Sequence, residues 1–399
     1  MGSRPALGNV AILAFCQAMM MSGASLLISS SALVGRQIAE NPSLATVPLG
    51  LQFLATMLTA LPASLLMARI GRRAGFSLGA AMGLLGALLC VTAVLWGNFW
   101  LFCAGALCVG VFNGFGQLFR FAAVEAVPAS WNSRAVSWVL AGGVLAAFIG
   151  PNLARLGQHW LDQPFAGSFA GLIVLYVLAL LALSRLRMPR PVVPENPEPE
   201  RPMSEVFRQP LMLLAVFSAV VAYGLMNLVM TATPLAMADR GMPFGEAAHV
   251  IQWHILGMFL PSFFTGNLIG RLGVRPVMTL GALLIGACLL VNISGQLGGH
   301  FFWALLLLGV GWNFLFIGAT SLLTTTYRPS EKARVQGIND LLVFGTVACS
   351  AILSSSLLEG LGWVALNLAG LPVVGLVLLG LVWSAMHARA GLRAQGGEA

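Results

Sequence analysis

Four ionisable side chains stand within otherwise apolar stretches of this sequence: Asp340, His254, Arg120 and Glu125. A charge at the centre of a lipid-like environment costs about 2.5–3.5 kcal/mol on insertion scales, so such a residue pairs, reaches water or performs a function. A carboxylate in low dielectric holds its proton more tightly and an imidazole starts near neutrality, which makes Asp340 and His254 the two proton-coupling candidates. Each has a plainer alternative. Asp340 can form an ion pair with Arg69 or Arg72, and His254 can make a hydrogen bond between helices. The guanidinium of Arg120 offers a fork of donors to a substrate carboxylate or phosphate, or reaches Glu125, or snorkels to the surface. Glu125 is placed to pair with the basic loop that carries Arg69, Arg72 and Arg73.

A second set is polar but uncharged: Gln17, Gln52, Asn113, Gln117, Asn227, Gln252 and Asn313. In hydrocarbon such groups seek partners inside the protein, so they glue helices together or face an internal cavity. Trp138, Tyr223 and Trp312, with Met20, Met21 and Trp253, supply apolar or stacking walls for a partly aromatic solute. No catalytic grouping emerges. The serines at 29–31 and 354–356 lack a placed histidine and acid, and no glycine-rich phosphate loop follows a strand. The six cysteines all fall in apolar segments without metal-ligand spacing, so they read as buried free thiols. Neither a metal nor another cofactor is expected, and an intramembrane enzyme is a minor alternative.

The elements that must position these residues follow from composition. Of 399 residues, 58% are hydrophobic and 9% charged, and the mean hydropathy is +0.88. A water-soluble domain of that size needs a charged shell, so the solvent of this chain is a lipid bilayer. Apolar runs at 8–34, 44–68, 75–97, 99–124, 135–156, 166–185, 210–235, 248–270, 276–297, 301–326, 335–357 and 363–386 are each long enough to cross it. The first is too long for a signal sequence and no cleavage site follows it. With a cytoplasmic N-terminus nearly all arginines outside the spans fall on the cytoplasmic side, Arg36, Arg155 and Arg240 excepted. Orientation therefore accounts for the net charge of +8, and no nucleic-acid partner is expected. The proline-rich, charged stretch 186–209 reads as a cytoplasmic linker between residues 1–185 and 210–399.

The two halves repeat one another. "SLLMARIGRRAG" at 64–75 is answered by "GNLIGRLGVRPV" at 266–277, with Arg69, Gly71 and Arg73 matched 202 residues later by Arg271, Gly273 and Arg275. Asn113 matches Asn313, Pro128 lies near Pro329, Arg134 matches Arg334, and Gln52 is equivalent to His254. Gly110 with Gly114 and Gly266 with Gly270 have the spacing of close helix-packing faces.

In these motifs the chain resembles the major facilitator superfamily, whose loop between the second and third helices runs Gly-x-Leu-x-Asp-Arg-x-Gly-Arg-Arg. Leu66, Arg69, Gly71, Arg72 and Arg73 fit it in the first half, and Gly266, Leu268, Arg271, Gly273 and Arg275 in the second. The departures are Ser64 for the leading glycine, and Ala68 and Gly270 for the aspartate. Gly110 stands where drug antiporters of the family carry an arginine, and Gly150–Pro151 keeps only the core of their helix 5 motif. The resemblance implies an all-α membrane protein of twelve helices, arranged as two pseudo-symmetric six-helix bundles. It implies a monomeric secondary transporter of a small organic solute in the cytoplasmic (inner) membrane, both termini cytoplasmic, working by alternating access with protons as coupling ion. An uncoupled facilitator is the alternative. The expected cytoplasmic gate comprises Arg69, Arg72, Arg73, Glu125, Arg271 and Arg275.

Overall fold

A computed structural model describes residues 3–128, 132–188, 201–328 and 331–396, and all regular structure among them is helical. Arg190, Pro329 and the middle of the expected linker, 189–200, lie outside the described residues. The helices are α1 (Ser3–Ile38), α2 (Val47–Ile70), α3 (Arg72–Trp96), α4 (Phe99–Gly116), α5 (Phe119–Glu125), α6 (Asn132–Gly157) and α7 (Ala166–Leu183), then α8 (Met203–Val206), α9 (Pro210–Ala238), α10 (Phe244–Phe259), α11 (Ser262–Leu272), α12 (Val274–Ser294), α13 (Gly298–Thr324) and α14 (Lys332–Gly396). A short 3-10 turn, Pro42–Leu44, follows α1. Among the described residues nine helical stretches are long and apolar enough to cross a membrane, or ten when α10 and α11 count as one bent span.

Helix is forced here because hydrocarbon offers no partner to an open backbone N–H or C=O. The ends follow local chemistry. Asn98 caps α4, its side-chain oxygen accepting from Leu101 N–H at 2.9 Å. The reversal from α2 to α3 turns on Gly71 at φ 86°, ψ 161°, and that from α11 to α12 on Gly273 at φ 87°, ψ 163°. Only glycine adopts that region without strain, so the repeated motif repeats its backbone as well as its letters.

Three breaks divide apolar runs. α10 and α11 meet at Pro261 with a 43° bend, because proline lacks the N–H and its ring crowds the carbonyl one turn earlier. α4 gives way to α5 after Gly116, where a Cβ would overlap the Met20 sulfur of α1. Within α14 only Gly362 leaves helical geometry, at φ 78°, inside the expected gap between the last two runs.

Two hydrophobic cores form. One draws on residues from Val10 to Leu186, the other on residues from Val206 to Leu381 together with Ala32, Ala45 and Ala147. Across the two cores α2 packs on α14 and α6 on α10. The end carrying Arg69, Arg72, Arg73, Arg271 and Arg275 is the basic end; the other is the far end. At the basic end Arg201, which precedes α8, holds the turn into α14 by a double contact to Glu331, Nε–Oε1 2.6 Å and Nη2–Oε2 2.7 Å. Glu331 also accepts from the backbone N–H groups of Arg201 and Arg328. These bonds, the arginine fork foremost, hold its carboxyl down from the ordinary 4.5 to about 2.

The glycine pairs behave differently from one another. A Cβ on Gly110 would overlap the Gln52 carbonyl oxygen of α2, and one on Gly114 would press on Thr56 and Thr59. Gly266 and Gly270 have nothing within 4 Å, which corrects the expectation that they form a second packing face. Gly110→Ala should therefore lower the midpoint of thermal unfolding, at a cost of about 1–3 kcal/mol, while Gly270→Ala, with open space inside a helix, should hold or raise it. Because the Glu331 carboxyl is depressed in the folded chain, the stability it adds is present above pH 4.5 and lost as pH falls towards 2. The stability difference between wild type and Glu331→Gln should accordingly be full at neutral pH and shrink across that window, as followed by denaturant unfolding in detergent.

Candidate functional site

An internal space lies between the two cores and encloses about 790 Å³, its open mouth included. Its first-half wall comes from α1, α2 and α4: Met20, Met21, Ser25, Gln52, Phe53, Thr56, Asn113 and Gln117. The second-half wall comes from α9, α10 and α14: Tyr223, Met226, Asn227, Met230, Met258, Phe259 and Phe344. Among the described residues no charged side chain lines it. Most polar groups stand on the first-half wall and most rings on the second, with methionines on both, so one face of the cavity is richer in hydrogen-bonding groups and the other in aromatic ones.

Several polar atoms of the wall have no partner within the protein. These are both ends of the Gln52 amide, Asn113 Oδ1, Asn227 Oδ1 and Ser25 Oγ. Asn227 is held from its other end, Nδ2 donating to Val347 O at 3.0 Å and Ser350 Oγ at 2.9 Å. A buried polar atom left unpaired costs about 1–3 kcal/mol, so such atoms mark places where a ligand completes the bonding.

The remaining sequence-derived positions are distributed as follows. Gln17 lies between α1 and α6, against Gly142, and does not reach the wall. Trp138 is exposed on α6 outside the cavity. Trp312 sits behind Tyr223, edge-on to it at 5.0 Å and stacked on Phe316 at 5.2 Å. Asn313 repairs the break in the neighbouring helix: its Nδ2 donates to Met258 O and Ser262 Oγ at 2.6 Å, and its Oδ1 accepts from Thr265. His254 turns away from the cavity, Nδ1 lying 2.8 Å from the Leu305 carbonyl oxygen of α13, and its Nε2 has no partner within the protein. Trp253 packs with His249 and Phe302.

At the basic end Asp340 and Arg120 are both exposed. They do not form an ion pair with one another. Asp340 bonds instead to Asn339, and Arg120 lies over the Phe121 ring at 4.9 Å. The pairings once open for these residues resolve otherwise: Glu125 is taken by Arg72, Nη2–Oε1 2.6 Å and Nε–Oε2 3.0 Å. Arg275 donates to Ser384 Oγ at 2.8 Å, while Arg69, Arg73 and Arg271 are without an ion pair among the described residues. The cysteines are free as expected, but Cys349 is exposed and Cys108 half-buried rather than buried.

The two halves are tied at the far end by contacts that sequence reasoning did not single out. Arg36 and Asp239 form an ion pair joining the ends of α1 and α9. Asn152 Nδ2 donates to the Gln252 side chain at 2.9 Å between α6 and α10, and Arg155 donates to Asn152. The 3-10 turn is stitched to α14 through Thr46, Ser355 and Ser356: Ser355 Oγ donates to Pro42 O at 2.9 Å and Ser356 Oγ to Ser43 O at 3.1 Å. Nothing in the local sequence marks these serines, since each bonds to a backbone carbonyl more than 300 positions away.

With this geometry in view, comparison with known proteins places the chain. The profile of the Major Facilitator Superfamily matches residues 10–253 and 215–397. A riboflavin transporter, RfnT of Brucella anthropi, is 41% identical over 379 residues, covering 94% of this chain and 95% of that one. An uncharacterized transporter of the same superfamily from Bacillus subtilis, YdeG, is 28% identical over 90% of this chain and 87% of its own length. Among solved structures, an auto inhibited peptide transporter of the POT family superposes with a TM-score of 0.70 over 97% of both chains at 14% identity, a likeness of fold alone.

Proposed function

The chain belongs to the major facilitator superfamily, whose matched members are transporters and not enzymes, and on that premise we propose that it carries riboflavin or a close flavin analogue across the cytoplasmic membrane by alternating access. The observation that carries this reading is the two-faced cavity: most carboxamides on one wall, most aromatic rings on the other, methionines on both, and no charge among the described residues that line it. A flavin pairs a flat heteroaromatic ring with a chain of hydroxyls, which suits those two walls. The relative named for riboflavin transport, aligned over almost the whole chain, supports the same solute.

Twelve spans complete the proposal. The ten membrane-length stretches become twelve when α6 is added and α14 is divided at Gly362, since its apolar stretch of 54 residues is about 80 Å long against a hydrocarbon core of about 30 Å. Residues 1–185 and 210–399 then form two six-helix bundles joined by the 186–209 linker, working as a monomer with both termini cytoplasmic. The far end is the sealed outer gate, and the basic end, where Arg72–Glu125 braces one bundle, is the open inner mouth. Asp340 handles the coupling proton. The absence of charge from the cavity wall favours an uncoupled facilitator as the second reading.

Titration of the purified protein with riboflavin tests the solute, with binding expected. Flavin mononucleotide should bind at least about tenfold more weakly, because no cation lines the cavity to offset desolvation of its phosphate. No riboflavin binding, or preference for the phosphorylated form, contradicts the assignment. In proteoliposomes an imposed pH step should drive flavin accumulation, and Asp340→Asn should abolish that accumulation while leaving counterflow exchange. Accumulation that survives in Asp340→Asn removes the proton role, and equilibration without accumulation in the wild type gives the facilitator reading instead.

A further inference from the structure

Gln52 is wholly buried in α2, and neither its Nε2 nor its Oε1 has a partner within the protein. Both ends are orphaned, so turning the amide over changes nothing about the conclusion. Its own backbone is committed, because the carbonyl oxygen lies against Gly110 and accepts from Thr56 Oγ1 at 2.9 Å. That close approach pins the helix while leaving the side chain in the cavity wall. The equivalent residue of the second half, His254, is tied to the Leu305 carbonyl, so the free amide has no symmetric twin.

A carboxamide with donor and acceptor both free recognises a group presenting an acceptor beside a donor, two parallel bonds made at once. Resting on the flavin reading above, we propose that Gln52 is the specificity-determining residue that reads the imide edge of the isoalloxazine ring, its Oε1 accepting from the ring N3–H and its Nε2 donating to an adjacent ring carbonyl. Of the remaining orphan atoms, Asn113 Oδ1 and Asn227 Oδ1 then receive hydroxyl donors of the sugar-alcohol chain. The ring stacks on the opposite wall at Met226, Met258 and Phe259. Recognition of this kind discriminates strongly, because a ligand lacking the donor strands the buried amide once more.

The test compares riboflavin with N3-methylriboflavin, in which the imide donor is replaced by a methyl group, on the purified full-length protein. Wild type should bind the methylated flavin about tenfold to a hundredfold more weakly. Gln52→Leu, close in volume, should bind riboflavin about as weakly as wild type binds the methylated form and should no longer distinguish the two. Equal affinities in wild type overturn the proposal without any variant, and full discrimination retained in Gln52→Leu, or in Gln52→Met should the first fail to fold, overturns it as well. In both of those cases riboflavin still binds wild type, so the flavin reading survives; failure of wild type to bind riboflavin at all overturns that reading and this one together.

Discussion

A carboxamide placed in hydrocarbon has no water to bond, and the rest of this molecule answers to that constraint. Helices satisfy their own backbone, so the problem is left to side chains, and each must find a protein partner or an internal space. Asn313 finds partners by mending the turn opened at Pro261, and Asn292 finds one on a neighbouring helix, its Nδ2 donating to Asn367 Oδ1 at 2.8 Å. Gln52, Asn113, Gln117 and Asn227 instead converge on the space between the two cores. The cavity wall gathers four of these amides, with both ends of Gln52 and the oxygens of Asn113 and Asn227 left without a partner.

Close helix contact makes the gathering possible. α2 and α4 touch backbone to backbone at Gln52 and Gly110, and α10 and α13 do so at His254 and Gly309, the equivalent positions of the two halves. The scaffold contact is thus repeated while the side chain upon it differs: a free amide in one half, a histidine bonded to a carbonyl in the other. A duplicated frame carrying unlike side chains gives one wall richer in amides and one richer in rings, which is what an asymmetric solute needs from a nearly symmetric container.

The frame was legible in the sequence to a large degree. Apolar run length gave most helix bounds to within a few residues, and the paired motif put glycine at both Gly71 and Gly273, where the structure has one backbone geometry. The breaks at Gly116 and Pro261 were hidden inside runs whose hydropathy is continuous, because a bend alters neither composition nor length. The site was legible only by residue type. Periodicity cannot say whether Asn313 or Asn113 faces a cavity, since that depends on the neighbour: a broken helix in one half, an intact one in the other. The far-end stitching through Ser355 and Ser356 was unreadable, because backbone carbonyls are acceptors at every position and leave no mark in the sequence. Likewise Arg201 and Glu331, 130 positions apart, declare their pairing only once the chain is folded.

Opening at one end and closure at the other is the central claim, and pulsed electron resonance distances between two pairs of spin labels test it most directly. One pair, Glu40→Cys with Glu359→Cys, spans the far end; the other, Ala74→Cys with Arg271→Cys, spans the basic end; all four positions are exposed, and Cys349→Ser removes the exposed native thiol. The account predicts two populations at each pair that shift in opposite senses when riboflavin is added, the basic end narrowing as the far end widens. Distances that stay fixed at both ends, or widen together into a continuous pore, would contradict it.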